Sequence, residues 1–484
     1  MKRQLPLLVF LLACGRSAGT SENAGPRRED GGVARAEAPA ALAPLALGMP
    51  DLADFAYRAR TGQDAFKLAR ASEAKGDWTQ VAARCREALT ADPNHLDASY
   101  LYAVALAKTG GGPEQILTPL TKAVAADYAK WGQASLDQPA LQPFLASTIG
   151  QAWRQRVEAD RAPFLAALAR SLIVTSQNDL FAYDREGKRW YRLTRTGGAV
   201  VATLHVHSQK KLAYVTREKV KDGAKQRTKV GIGVVDLATG KTRRSIEVPH
   251  EVPASATLRI GYAERPTPGF IVRAGKVSWR LVENGKLDLV KLPANAKADA
   301  PALLADMVRM DVTGRTARID RTAVANVAAD WDDNSLASAI KIGRSKKVVT
   351  VPSPGLIDGD TATWNTDGTE LAFVAQLSDT CAPNVATAAA FVADGATGSV
   401  HELERALGGI AVEWYGERTL AIAGDHGVSI VALDGSAPLV LTGADGLVTP
   451  RRKPKCSPEP IVEEPIAEDE ESTTEPSDAG VDAK

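Results

Sequence analysis

The sequence is short of three things, and each shortage narrows what the protein can be. Only four cysteines occur in 484 residues, Cys14, Cys85, Cys381 and Cys456. Charge of one sign is lacking too: 59 basic residues face 58 acidic ones, a net charge of +1. That balance removes the electrostatic case for a nucleic-acid or acidic-polymer partner. Long apolar runs are missing as well. The stretch over residues 5–12 falls short of the about 20 apolar residues that a spanning helix needs, and no second run follows it. What is present is an apolar fraction of 44%, enough for a packed core, in a chain too long for one small domain.

The first fourteen residues, MKRQLPLLVFLLAC, have the plan of an export signal. Lys2 and Arg3 come first, then the apolar stretch, then the small Ala13. Leu11-Leu12-Ala13-Cys14 resembles the lipobox of bacterial lipoproteins. The resemblance implies removal of residues 1–13, lipidation of Cys14, and a membrane link made by acyl chains rather than a helix. An ordinary secretory signal with an incidental cysteine is the alternative reading. Gly15 follows the cysteine in place of a retention aspartate, which points to the outer membrane of a bacterial envelope. With Cys14 lipidated, three cysteines remain and no closed disulfide framework is possible. Cys85 reads as a small core residue. Cys381 and Cys456 have a spacing that neither demands nor forbids a bond.

Residues 14–50 are rich in Gly, Ala, Pro and charge without an apolar period, and read as a flexible tether. At the other end, residues 451–484 read as a disordered tail, basic over Arg451, Arg452, Lys453 and Lys455, then acidic. Between these ends the period of the apolar residues changes once.

Over residues 51–170 the period is helical. Ala69, Gly76, Val81, Cys85, Ala88 and Pro93 occupy the small, turn and stop positions of a pattern that resembles a tetratricopeptide repeat. A weaker second unit runs through Tyr102, Ala103, Leu106, Gly110, Ile116, Leu120 and Ala123. In such an array the inner helices line a groove, which the resemblance would furnish with Phe66, Arg70, Glu73 and Tyr100. Aromatic residues beside arginine suit a peptide-binding surface; the competing reading is that they merely cover neighbouring helix.

Over residues 171–450 the period is that of short strands. Leu172-Ile173-Val174 and Leu180-Phe181-Ala182-Tyr183 begin it, and Asp236-Leu237-Ala238-Thr239-Gly240 marks a turn. Trp364-Asn365-Thr366-Asp367-Gly368 precedes a new apolar strand, and Trp414-Tyr415-Gly416 echoes it. These segments resemble the WD-like and TolB-like β-propeller repeats. The resemblance implies six blades, with seven also compatible, and Gly446-Leu447-Val448 can supply the strand missing before Ser171, so that no open edge is left. The expected fold is therefore a tetratricopeptide-like α-solenoid followed by a β-propeller.

Chemical motifs mostly fail on inspection. Gly15-Arg16-Ser17-Ala18-Gly19 has the nucleophile-elbow string but lies in the tether. His401-Glu402 lacks the second histidine of a zinc protease, since position 405 is Arg. His205 and His207 alternate on one strand without a third ligand nearby. Asp330, Asp332 and Asn334 are spaced like the start of a calcium loop, but Ser335 and Lys341 stand where that loop needs Gly and Glu. No cofactor and no catalytic residue is expected. The sequence thus points to a membrane-tethered envelope lipoprotein that acts as a non-catalytic scaffold for envelope proteins or peptides. A propeller that binds carbohydrate, or a hydrolase or lyase with its site at the channel mouth, is the alternative.

Overall fold

The computed structural model describes residues 42–55, 61–206, 210–222, 225–248, 252, 256, 258–263, 269–274, 277–284, 286–292, 307–309, 316–320, 336–337, 339–344, 347–352, 354–365, 367–377, 380–381, 388–403, 409–424, 427–448 and 457–458. Cys14, His207, Asp330, Asp332, Asn334, Cys456 and the acidic part of the tail lie outside these residues, as does the Cys381 side chain.

The helical period builds α1 (Gln63–Ala74), α2 (Trp78–Ala91), α3 (Leu96–Lys108), α4 (Pro113–Ala126), α5 (Tyr128–Asp137), α6 (Gln142–Ala146) and α7 (Thr148–Arg170). Among the described residues none is long and apolar enough to cross a membrane. The small residues do the work expected of them: Ala65, Ala88 and Ala98 form one buried contact between α1, α2 and α3, and Ala69, Val81, Cys85 and Ala105 form the next. Trp153 of α7 is completely buried among Leu120, Leu141 and Phe144.

Cys85 is equally buried. Burial, aided by nearby Glu73, lifts its thiol from 9.0 to about 12. Iodoacetamide at pH 8 is therefore expected to leave Cys85 unlabelled in the folded chain and to label it on unfolding, which peptide mapping would show. The linkage sign follows: the unfolded thiol ionises near pH 9 while the folded one keeps its proton. Stability from this group is full below pH 9 and declines as pH climbs toward about 12.

Residues 42–50 depart from the expected tether. They form a strap across the helices and the first sheet, with Leu45 and Met49 buried. The Leu45 N–H donates to Asp160 of α7 (3.0 Å), and Gly48 donates to the Ala125 carbonyl (2.8 Å). Met49 exchanges two backbone hydrogen bonds with Trp190, at 2.9 and 2.8 Å. Leu45, Leu47 and Met49 alternate, but too briefly to stand out among alanines and prolines.

The strand region folds as successive antiparallel meanders. Sheet 1 contains β1 (Leu172–Ser176), β2 (Asp179–Asp184) and β3 (Arg189–Arg192). Sheet 2 contains β4 (Val200–Val206), β5 (Lys211–Asp222), β6 (Lys225–Asp236) and β7 (Lys241–Glu247). Sheet 3 contains β8 (Leu258–Ala263), β9 (Gly269–Ala274), β10 (Val277–Asn284) and β11 (Lys286–Lys291). Sheet 4 contains β12 (Met307–Arg309), β13 (Thr316–Asp320), β15 (Ala339–Arg344) and β16 (Lys347–Val351), while β14 (Leu336–Ala337) pairs into sheet 5. The rest of sheet 5 is β17 (Leu356–Trp364), β18 (Glu370–Gln376), β20 (Ala388–Asp394) and β21 (Val400–Glu402). Sheet 6 contains β22 (Gly409–Trp414), β23 (Thr419–Gly424), β24 (Gly427–Ala432) and β25 (Leu439–Leu441). The pattern returns to its start through β26 (Gly446–Leu447), which pairs antiparallel with β1, Val174 opposite Leu447. A short parallel pair joins β19 (Thr380–Cys381) to β27 (Ser457–Pro458).

Buried side chains connect sheets 6, 1, 2 and 3 in one run and sheets 4, 5 and 6 in another. Phe181 of sheet 1 meets Ala423 and Ile430 of sheet 6; Leu180 meets Leu212 and Val235 of sheet 2; Val215 meets Phe270 of sheet 3. Ile340 meets Phe373 across sheets 4 and 5, and Val392 meets Ile422 across sheets 5 and 6.

The turn from third to fourth strand has a recurring cause. The Asp236 carboxylate accepts from the N–H groups of Ala238 and Thr239, and Asp394 accepts from Ala396 and Thr397. Gly240 and Gly398 then take positive φ, +66° and +76°, a region L-residues with side chains avoid.

Candidate functional site

Two groups of interactions fix the helices to sheet 1. At the end of α7, the Arg170 guanidinium donates to both Asp184 oxygens (2.8 and 2.7 Å), and Glu186 stands 3.1 Å away. Arg195, just after β3, reaches back to the start of α5 and donates from Nε and Nη2 to the Asp127 carboxylate. Burial alone would push the Arg195 guanidinium down, but Asp127 more than offsets this and raises it. Asp127 also caps α5 by accepting from the Lys130 N–H at 3.3 Å.

Between these elements lies a cleft of about 590 Å³. Its walls come from the first turns of α1 (Gln63, Asp64, Lys67), α3 (Leu96, Asp97) and α5 (Lys130), and from Arg192, Arg195 and Gly197 beyond. His95 shapes the floor. Its Nδ1 accepts from the Ala98 N–H (3.2 Å) and so caps α3, which leaves Nε2 to donate to Gln63 Oε1 (3.1 Å). Lys130 donates to Asp97 and stands 4.1 Å above the Trp131 ring. Burial would raise the Asp97 carboxyl, yet the Lys130 ammonium holds it below its usual range. At the outer edge, Lys67 pairs with Asp64 at 2.9 Å, both well exposed at 68% and 94%. The cleft therefore presents both charges in alternation. That arrangement can receive a polar chain carrying both signs, whereas a ligand of one sign would meet repulsion.

The residues expected to line a helical groove separate into two groups. Phe66, Arg70 and Glu73 share one side of α1, where Phe66 packs at 4.6 Å on the His95 ring and Arg70 pairs with Glu73. Tyr100 belongs elsewhere: it is only 7% exposed, stacks at 3.9 Å on Trp131, and donates to the Ala134 carbonyl. Its position in the core corrects its placement on a partner-facing surface.

A second convergence lies among the sheets. His205 Nδ1 of β4 stands 3.9 Å from Glu413 Oε1 of β22, with side chains 10% and 7% exposed. These strands open sheets 2 and 6, and 208 positions separate the residues in the chain. A smaller cavity, about 510 Å³, lies on sheets 5 and 6 beside His401, Glu402 and Arg418. Among the described residues no cluster of three or more His, Cys, Asp or Glu is placed to hold a metal ion.

Sequence reasoning missed Asp127, Lys130, Arg192 and Arg195. Asp127 did carry a faint signal, because it stands where the second repeat lacks its proline. Arg195 had none, being 68 residues from its partner.

No known family matches the sequence, and no curated protein matches it either. Solved structures give partial likenesses. TolB from Acinetobacter baumannii is 14% identical, over 60% of this chain and 68% of its own, with a TM-score of 0.28. A periplasmic gluconolactonase from Pseudomonas aeruginosa is 12% identical over 58% of this chain and 97% of its own, with a TM-score of 0.31. An acylaminoacyl peptidase from Pyrococcus horikoshii is 11% identical over 55% and 41%, with a TM-score of 0.26. Scores this low carry no argument about what the protein does.

Proposed function

We propose that the protein is a bacterial envelope lipoprotein, held at the outer membrane through Cys14, that serves as a non-catalytic scaffold for envelope proteins or peptides. In this reading α1 to α4 are two tetratricopeptide-like units, and the six sheets are the blades of one propeller closed by β26. The observation that carries it is the mixed-charge cleft. Three helix starts and the segment after β3 meet there, and the Arg195–Asp127 and Arg170–Asp184 pairs hold its walls in fixed relation. A preorganised cleft spares an incoming chain part of the ordering cost, and tethering raises its effective concentration.

A photo-crosslinking residue placed at Asp64 in the intact cell tests this. A reproducible protein adduct is expected, reduced about tenfold by Lys67→Glu, a change at an exposed position that leaves the fold intact. Loss of about tenfold corresponds to roughly 1.4 kcal/mol of binding. Recovery of glycans or small molecules alone would sink the scaffold reading. It would favour the carbohydrate-binding or hydrolytic propeller, for which His205 and Glu413 mark the place to look.

A further inference from the structure

The β5–β6 hairpin outgrows its sheet. Its strands pair from Lys211 opposite Asp236 out to Asp222 opposite Lys225. Their neighbours stop earlier, β4 with Val200 opposite Thr216 and β7 with Gly231 opposite Glu247. Residues 217–222 and 225–230 thus form a two-stranded ribbon beyond the sheet edge. It carries six cationic residues against two acidic ones, Glu218 and Asp222, an excess of four in a chain whose total is +1.

Strand alternation sorts these charges. Glu218 lies opposite Lys229, and Asp222 opposite Lys225, in one row. On that side Glu247 also stands 3.8 Å from Arg227 and 3.6 Å from Lys229. The alternate positions are Arg217, Lys219 and Lys221, opposite Val230, Thr228 and Gln226, a row without a carboxylate. Arg217 is held at the base by the Ala256 carbonyl, whereas Lys219 is exposed. Successive positions of the row are about 7 Å apart along the strand.

The same chain contains the complementary charge. Residues 459–484 carry ten acidic residues and one lysine, with Glu468-Asp469-Glu470-Glu471 at the densest point. They start directly after Pro458, which β27 fixes beside β19 in the connection between β18 and β20. That connection joins the second and third long strands of its meander, as the β5–β6 turn does. In a propeller, connections of this rank open on one side, so the tail would start on the side from which the ribbon projects. The 26 residues can span up to about 85 Å when extended, and a compact domain of about 280 residues is only about 50 Å across.

We propose that the acidic segment around residues 468–471 docks on the Lys219–Lys221 face of the ribbon within the same molecule. The contact rests on the propeller reading for its geometry. It would cover this cationic face and give way to a competing polyanion or to salt.

Carbodiimide crosslinking of the full chain, followed by peptide mapping, tests it. Amide links from Lys219 and Lys221 to Glu468, Asp469, Glu470 or Glu471 are expected within monomers. Their yield should fall about tenfold in about 0.5 M salt, where the screening length drops below about 5 Å. Lys219→Glu alone should also lower the links made by Lys221 several-fold, because the docked segment loses a neighbouring cation. Tail links confined to Lys453 and Lys455, links found only between molecules, or no tail links would each overturn the proposal. Those outcomes leave the propeller reading standing, because closure of the sheets is tested separately at Leu447.

Discussion

Asp127→Ala is expected to cost about 3–5 kcal/mol of folding stability, the range for removing one partner of a buried ion pair. Asp127 is 5% exposed and Arg195 24%. Alanine would strand the Arg195 guanidinium against the first turns of α3 and α5, and the α5 cap, worth about 1 kcal/mol, would be lost with it. Asp127→Asn keeps an oxygen for the cap and should recover that smaller part only. Denaturant unfolding of both variants checks the ranking, and a double-mutant cycle with Arg195→Ala isolates the pair. A loss below about 1 kcal/mol for Asp127→Ala would mean that solvent in the cleft already screens the pair. The helices would then rest on sheet 1 through the Arg170–Asp184 pair and apolar contacts such as those of Phe164, Leu168 and Tyr191.

These two parts of the molecule were unequally legible. The change from helices to strands near residue 171 could be read because periods of 3.6 and 2 arise from local geometry. Asp236 and Gly240 could be read as turn formers for the same reason, and so could the return of residues 446–448 to the first sheet. The loosely patterned residues 258–292 nevertheless form a full meander, β8 to β11, because Phe270, Val272, Trp279 and Leu281 supply its core while charged residues blur the alternation. Long-range electrostatics stayed hidden. Nothing local tells that Arg195 answers Asp127, that His205 faces Glu413, or that Tyr100 turns inward onto Trp131. The basic ribbon is hard to read for a different reason: its charged residues interrupt the apolar alternation that marks a half-buried strand.

Leu447→Asp is expected to unfold the strand region or reduce its stability by more than about 5 kcal/mol, since it adds a buried charge to a lost core side chain. Leu447 is 2% exposed among Val174, Phe181, Ala423 and Ile430, where the last segment of the meanders meets the first. The junction is reinforced by polar contacts: Thr175 donates to one Asp445 oxygen and the Gln177 N–H to the other, both at 2.7 Å. Leu447→Ala should be milder, about 2–5 kcal/mol, because it leaves a cavity without a charge. The form of the loss matters as much as its size. Sheet 1 packs on sheets 2 and 6 and on α7, so opening its edge removes support from both sides. Loss of near-ultraviolet signal and of sheet content should therefore coincide in one transition at lower denaturant. If the first and last sheets instead frayed while the others kept their midpoint, β26 would be a decoration on an open row of sheets. A single shifted transition would make it the strand on which the whole succession depends.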